Sequence, residues 1–206
     1  MKKIILKYKN IPSERKIFFK TLCSFLFSFI WSIVKLIMGI FISSLFLLAS
    51  SLFTLSMCFS KLFCLLGIKK DKDCSSKFYI SLSSFLIIIA GIFYGIYNLR
   101  LLNGYIPVNY GLIISIVIAL FSFIFLINSI VYLIKERKKN NFYYKNLRTI
   151  AFINALNDLL LTQMTLLMNK MPNMDHSKNI YFALIISIIS ILLGVMLLNK
   201  RKNLDR

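Results

Sequence analysis

The stretch LRTIAFINALNDLLLTQMTLLMN, residues 147–169, is apolar enough to cross a membrane, yet it carries Asn154, Asn157, Asp158, Thr162, Gln163 and Thr165. Asp158 is the only carboxylate of the chain inside a predicted span. The other six acids, Glu14, Asp71, Asp73, Glu136, Asp175 and Asp205, fall in predicted loops or tails. A carboxylate near mid-bilayer costs about 2.5–3.5 kcal/mol on insertion scales, so it marks a site or a buried partner. Asn154 and Asp158 are four residues apart and share a helix face, which Ala151, Thr162 and Thr165 continue at spacings of three or four.

Working outward, similar apolar runs recur from Phe18 to Leu198. With 58% hydrophobic residues and a mean hydropathy of +0.76, the chain reads as an all-α membrane protein. Six transmembrane helices are predicted at 21–40, 43–66, 78–98, 110–134, 147–169 and 180–198, each near the ~20 residues needed to cross. The domains are a basic N-terminal segment (1–20), a six-helix transmembrane domain (21–198) and a short basic tail (199–206). A very short turn joins the first two spans, so they form a tight antiparallel pair. The basic N-terminal segment resembles a signal peptide in charge but shows no convincing cleavage site, and further spans follow, so it reads as leading into an uncleaved first helix.

The net charge of +19 suggests nucleic acid at first sight, but the charge distribution excludes it. The N-terminus, the second and fourth loops and the C-terminus carry 21 of the Lys and Arg residues, whereas the remaining loops carry only Arg100, Lys170 and Lys178. The positive-inside rule therefore predicts cytoplasmic N- and C-termini. It also predicts contact of the basic segments with anionic lipids at the cytoplasmic face. High Ile, Lys, Asn and Phe content fits an AT-rich bacterial genome, and hence a bacterial inner (plasma) membrane. Cys23, Cys58, Cys64 and Cys74 have no metal-ligand spacing and read as reduced thiols. The only histidine, His176, lies in a predicted loop, and no Ser-His-Asp or two-carboxylate grouping is visible. An enzyme is therefore not expected, and no cofactor is implied. Phe25, Phe27, Phe29, Phe121 and Phe123 read as lipid-facing or packing side chains, and Trp31 as packed between helices.

The run KLIMGIFISSLFLLASSLFTLSMCFSKLFCLLG, residues 35–67, resembles the first helix hairpin of the cation diffusion facilitator family. It has a Lys-x-x-x-Gly before a short turn (Lys35, Gly39), then Leu47-Leu48-Ala49, then the helix that bears metal ligands in that family. Residues 147–167 are similar to the family's fifth helix, and Leu101-Leu102-Asn103 to its third loop. The resemblance covers about residues 24–198 and implies a cation-efflux-like helical bundle that exports divalent metal in exchange for protons. In the family, two ligands on the second helix and two on the fifth form a tetrahedral site. Those positions fall here on Phe53, Met57, Asn154 and Asp158. Phe53 and Met57 are family ligand positions not retained, and only Asp158 keeps a zinc-type ligand. Relatives continue past the sixth helix into a cytoplasmic metal-binding domain that helps them dimerise; none is expected here, and a homodimer stays open. Asp71, Asp73 and Cys74, and the pair Asp175-His176, read as solvated loop residues rather than peripheral metal sites.

Two functions are open on these residues. In the first, Asp158 with Asn154, Thr54 and Ser50 lines an ion pathway for proton-coupled cation transport through a reduced site on the second and fifth helices, with Asp158 as the one metal ligand. In the second, Asp158 is neutralised by Lys35, although Lys35 lies towards the outer end of its span and has the length to snorkel. Asn154, Asn157, Gln163 and the serines are then interhelical glue in a non-transporting scaffold or partner protein.

Overall fold

The computed structural model describes residues 13–69, 75–102, 111–135, 142–170 and 177–202, all helical apart from the turns at their edges. Six helices follow in order: α1 (Ser13–Phe41), α2 (Leu45–Lys69), α3 (Ser75–Leu102), α4 (Leu112–Lys135), α5 (Phe142–Lys170) and α6 (Ser177–Lys202). Each contains a stretch long and apolar enough to span a membrane. These stretches run Thr21–Phe41, Leu45–Gly67, Phe78–Arg100, Leu112–Val131, Asn146–Asn169 and Asn179–Asn199. α1 starts at Ser13, so the helix reaches back into the basic N-terminal segment. Residues 1–12, Asp71, Asp73, Cys74, Asp175 and His176 lie outside the described residues.

The distribution of side chains is that of a protein solvated by lipid. Large apolar residues face outward on every helix, among them Phe41, Phe93, Ile113, Ile134 and Met196. Lys35, Lys61, Asn154, Asn157, Asp158 and many serines are buried instead. In water such continuous apolar surface would drive association, whereas in a bilayer it faces solvent of its own kind. The chain is therefore built as a multi-pass membrane protein.

With no hydrophobic force between helices in lipid, close packing and hydrogen bonds must hold the bundle together. α1 and α2 are joined through residues 42–44. Ser43 takes a positive φ of 54°, and the Ser44 hydroxyl accepts from the Leu47 amide at 3.3 Å, capping α2. Ser32 on α1 donates to the Ser51 carbonyl of α2 at 2.7 Å. Ser60 on α2 and Ser83 on α3 share their hydroxyls at 2.6 Å. α3 and α6 approach closely because Gly91, Gly95 and Gly194 lie at their crossing. A methyl at Gly194 would stand 2.9 Å from the Ser84 carbonyl oxygen. Ser187 on α6 donates to the Gly91 carbonyl at 2.6 Å.

The seam between α4 and α5 is the most regular. Ser115, Ser122 and Ser129 recur every seven residues on α4. They donate to the carbonyls of Thr165 (3.3 Å), Asp158 (2.9 Å) and Ala151 (3.1 Å), which recur every seven residues on α5 in the opposite direction. A seven-residue repeat keeps one stripe facing its neighbour along two supercoiled helices. Asn169 closes one end of the seam, donating to the Ser115 hydroxyl and to the Gly111 carbonyl at 3.2 Å.

α1 and α4 meet differently, through rings. Trp31 stacks on Phe121 at 4.3 Å between centroids, and Phe27 lies 5.2 Å from Phe125. Of the six spans, α2 and α5 are the most enclosed, with 56% and 61% of their positions buried against 28% in α4. They therefore form the centre of the bundle. Neighbouring helices run antiparallel across every serine-bonded seam, so α1 begins and α6 ends at the same end of the bundle.

Candidate functional site

Asp158 lies midway along its span and is wholly buried. Lys35 is as deeply buried on α1, and its Nζ donates to Asp158 Oδ1 at 2.6 Å and to Thr54 Oγ1 on α2 at 2.8 Å. The ammonium thus ties three helices at one point. The lysine does not snorkel towards the outer end of its span. A helical side chain leans back towards its own N-terminus, which carries this ammonium inward along α1 to the carboxylate. A charge that finds an opposite charge and a hydroxyl has no reason to cross apolar surface to reach the headgroups.

The hydrogen bonds extend further along α2. Thr54 donates to the Ser50 carbonyl at 2.8 Å. The Ser50 hydroxyl accepts from Asn157 Nδ2 at 3.0 Å. The second carboxylate oxygen of Asp158 and the amide oxygen of Asn157 are buried without a hydrogen-bond partner. The site therefore has one neutralised ion pair and two spare acceptor oxygens at mid-span, where any group able to donate would be stabilised.

Four of the sequence-selected residues thus come together: Asp158, Lys35, Thr54 and, through Asn157, Ser50. Asn154 does not join them. It faces a separate cavity one turn away, and its amide oxygen has no partner. Phe53 points towards α3, where its ring lies 4.8 Å from that of Tyr94, beside an apolar groove between α2 and α3. Met57 is fully buried in the apolar core. The side chains of α2 that bond to the node at Lys35, Asn157 and Asp158 are Ser50 and Thr54. Thr162 and Thr165 do not extend a polar face either, because their hydroxyls donate back to the Asp158 and Thr162 carbonyls of their own helix. An unpaired hydroxyl in apolar surroundings takes the nearest carbonyl. Gln163 is exposed on the outer surface and is not interhelical glue.

Among the described residues no three of His, Cys, Asp and Glu gather in one place. Asp158 offers one carboxylate, already bonded to an ammonium, beside hydroxyl and amide groups. Zinc favours thiolate, imidazole and carboxylate ligands, so this donor set does not suit a tetrahedral divalent ion.

Lys61 on α2 is the residue that the sequence reading missed. It is 4% exposed and lines a cavity of about 240 Å³ with Asn154 and Ala151 of α5, Ser24 and Phe27 of α1, and Phe125 and Asn128 of α4. Its sequence signal is plain in retrospect: a lysine seven residues after Thr54, on the same helix face and still within an apolar run.

No family model, curated protein or solved structure matches this chain.

Proposed function

We propose that this chain is a multi-pass transporter of the cell membrane, with both termini in the cytoplasm, in which the Lys35–Asp158 pair takes up and releases a proton during the cycle. One observation carries the reading: a lysine–aspartate pair wholly sequestered at mid-span, where three helices meet and one carboxylate oxygen is left without a donor. Charged residues inside a membrane are costly, and they recur as proton relays and ion pathways. A proton delivered to Asp158 would release Lys35 from α5, and the contact joining α1 to α5 would open. The carried ion at this position is then a proton, because the one carboxylate is already held by the Lys35 ammonium and the donors do not suit a tetrahedral zinc ion. The resemblance to the cation diffusion facilitators enters the proposal as topology and as the pairing of α2 with α5. The orientation follows from the 21 Lys and Arg residues grouped on one side of the predicted topology.

The second reading is a non-transporting scaffold. The closed ion pair and the hydrogen bond at nearly every helix seam favour it, since those are also what a purely structural bundle requires.

Reconstituted vesicles with an imposed pH gradient and an internal pH dye separate the two. Zinc, manganese, sodium, potassium and small organic anions are offered in turn. The transporter reading expects substrate-dependent proton movement in wild type, and none in Asp158→Asn or in a folded Lys35→Met/Asp158→Leu double variant. Proton movement that survives the double variant defeats the reading. So does its absence in wild type with every substrate, which leaves the scaffold.

A further inference from the structure

The interior of the spans holds two lysines, Lys35 and Lys61, and one carboxylate. Asp158 is bonded to Lys35, so among the described residues Lys61 has no acid bonded to it. An ammonium buried without a counter-charge is costly by several kcal/mol, and an anion beside it offsets that cost. The cavity at Lys61 has the shape to admit one. Its floor is Lys61 and Asn154, buried to 4% and 2% exposure, whose ammonium and amide NH2 are the groups able to donate to an anion. Its walls are Phe27, Phe125, Ala151 and Ala155. Its mouth lies between α1 and α4, at Ser24 and Asn128, which are exposed on the outer surface of the bundle. Ser24 is four residues into its span and Asn128 four residues from the end of its own, so the mouth sits just inside one membrane boundary. That boundary is the end from which the basic segments emerge, and their field favours anions.

We propose that this cavity binds an anionic amphiphile: a monoanionic carboxylate or phosphate head placed against Lys61 and Asn154, with its apolar tail leaving sideways between α1 and α4 over Phe27 and Phe125. The volume, about 240 Å³, takes a headgroup and the start of a chain but not a drug-sized ligand. The site requires no movement of the Lys35–Asp158 pair, so it stands or falls separately from the transport cycle.

Trp31 is the only tryptophan. It stacks on Phe121, whose ring lies 6.0 Å from that of the cavity-lining Phe27. Its fluorescence can therefore report a brominated fatty acid bound there. The experiment uses the full chain in phosphatidylcholine nanodiscs, titrated with brominated decanoic acid above pH 7 and with the matching brominated alcohol. Wild type is expected to show a saturable quench with the acid, above the linear partitioning background, and only the background with the alcohol. Lys61→Met is expected to weaken the saturable component at least tenfold, and Lys61→Arg to stay within about threefold of wild type. Loss of the quench in nanodiscs containing phosphatidylglycerol identifies a lipid phosphate as the occupant, and an unchanged quench identifies a free carboxylate. Equal quenching by acid and alcohol in wild type overturns the proposal whether or not the variants fold. An unchanged quench in Lys61→Met, or full displacement by millimolar acetate, does so too.

Discussion

Replacing Lys35 by Met strands a carboxyl group in a site that lets in no solvent. Removing one partner of a buried ion pair costs about 3–5 kcal/mol. We therefore expect Lys35→Met to lose about 4 kcal/mol, the middle of that range. Lys35→Met/Asp158→Leu removes both charges and is expected within about 1 kcal/mol of wild type, since a buried pair can be replaced by apolar groups at little loss. Reversible unfolding in mixed detergent–SDS micelles, followed by the fluorescence of the buried Trp31, measures all three proteins. A double variant as unstable as Lys35→Met, or a Lys35→Met loss below about 1 kcal/mol, refutes the reasoning.

Two further expectations test the seams. Gly194→Leu would force side-chain atoms into the Ser84 carbonyl and Ile88, at a cost of about 1–3 kcal/mol; the same unfolding assay should show it, and Gly111→Ala, with open space around it but a positive φ, should act only through local backbone strain of about 1–3 kcal/mol. The triple variant Ser115→Ala/Ser122→Ala/Ser129→Ala removes three interhelical bonds and should lose about 2 kcal/mol at roughly 0.6 each; a loss below about 0.5 kcal/mol would mean that the ladder marks the register without supporting it.

The spans were readable because lipid imposes a length and a polarity on every crossing segment, and the apolar spans observed end within three residues of those expected, although the helices themselves run further, α1 by eight residues at its start. The site was only partly readable. Asp158 stands out as the single acid within a span, and the scarcity of charge in the spans directs attention to Lys35. The direction of the lysine side chain was not legible, because a snorkelling chain and an inward-leaning one have the same sequence. Nor was the division of labour on α5 legible. Asn154 and Asn157 are three residues apart, yet one faces the Lys61 cavity and the other Ser50. A helix face is wide enough to include both, and only the positions of α2 and α4 separate them. Lys61 went unnoticed because attention to acids overlooks a cation that has no acid bonded to it among the described residues.

The seven-residue serine ladder also restricts how this molecule can move. Sliding α5 along α4 would break all three bonds together, and the next register that remakes them lies seven residues on, roughly 10 Å at 1.5 Å per residue. Small shear of this pair therefore gives up the interhelical bonds, although Ser115 and Ser122 keep the Gly111 and Ile118 carbonyls of their own helix at 3.0 and 2.8 Å, and the ladder favours movement of the two helices together. The opposite boundary, where α1 meets α4 through Trp31, Phe27, Phe121 and Phe125, is made of ring faces that tolerate gliding. On the transporter reading, the proposed stroke would open along those rings, with the Lys35–Asp158 contact as the latch between α1 and α5.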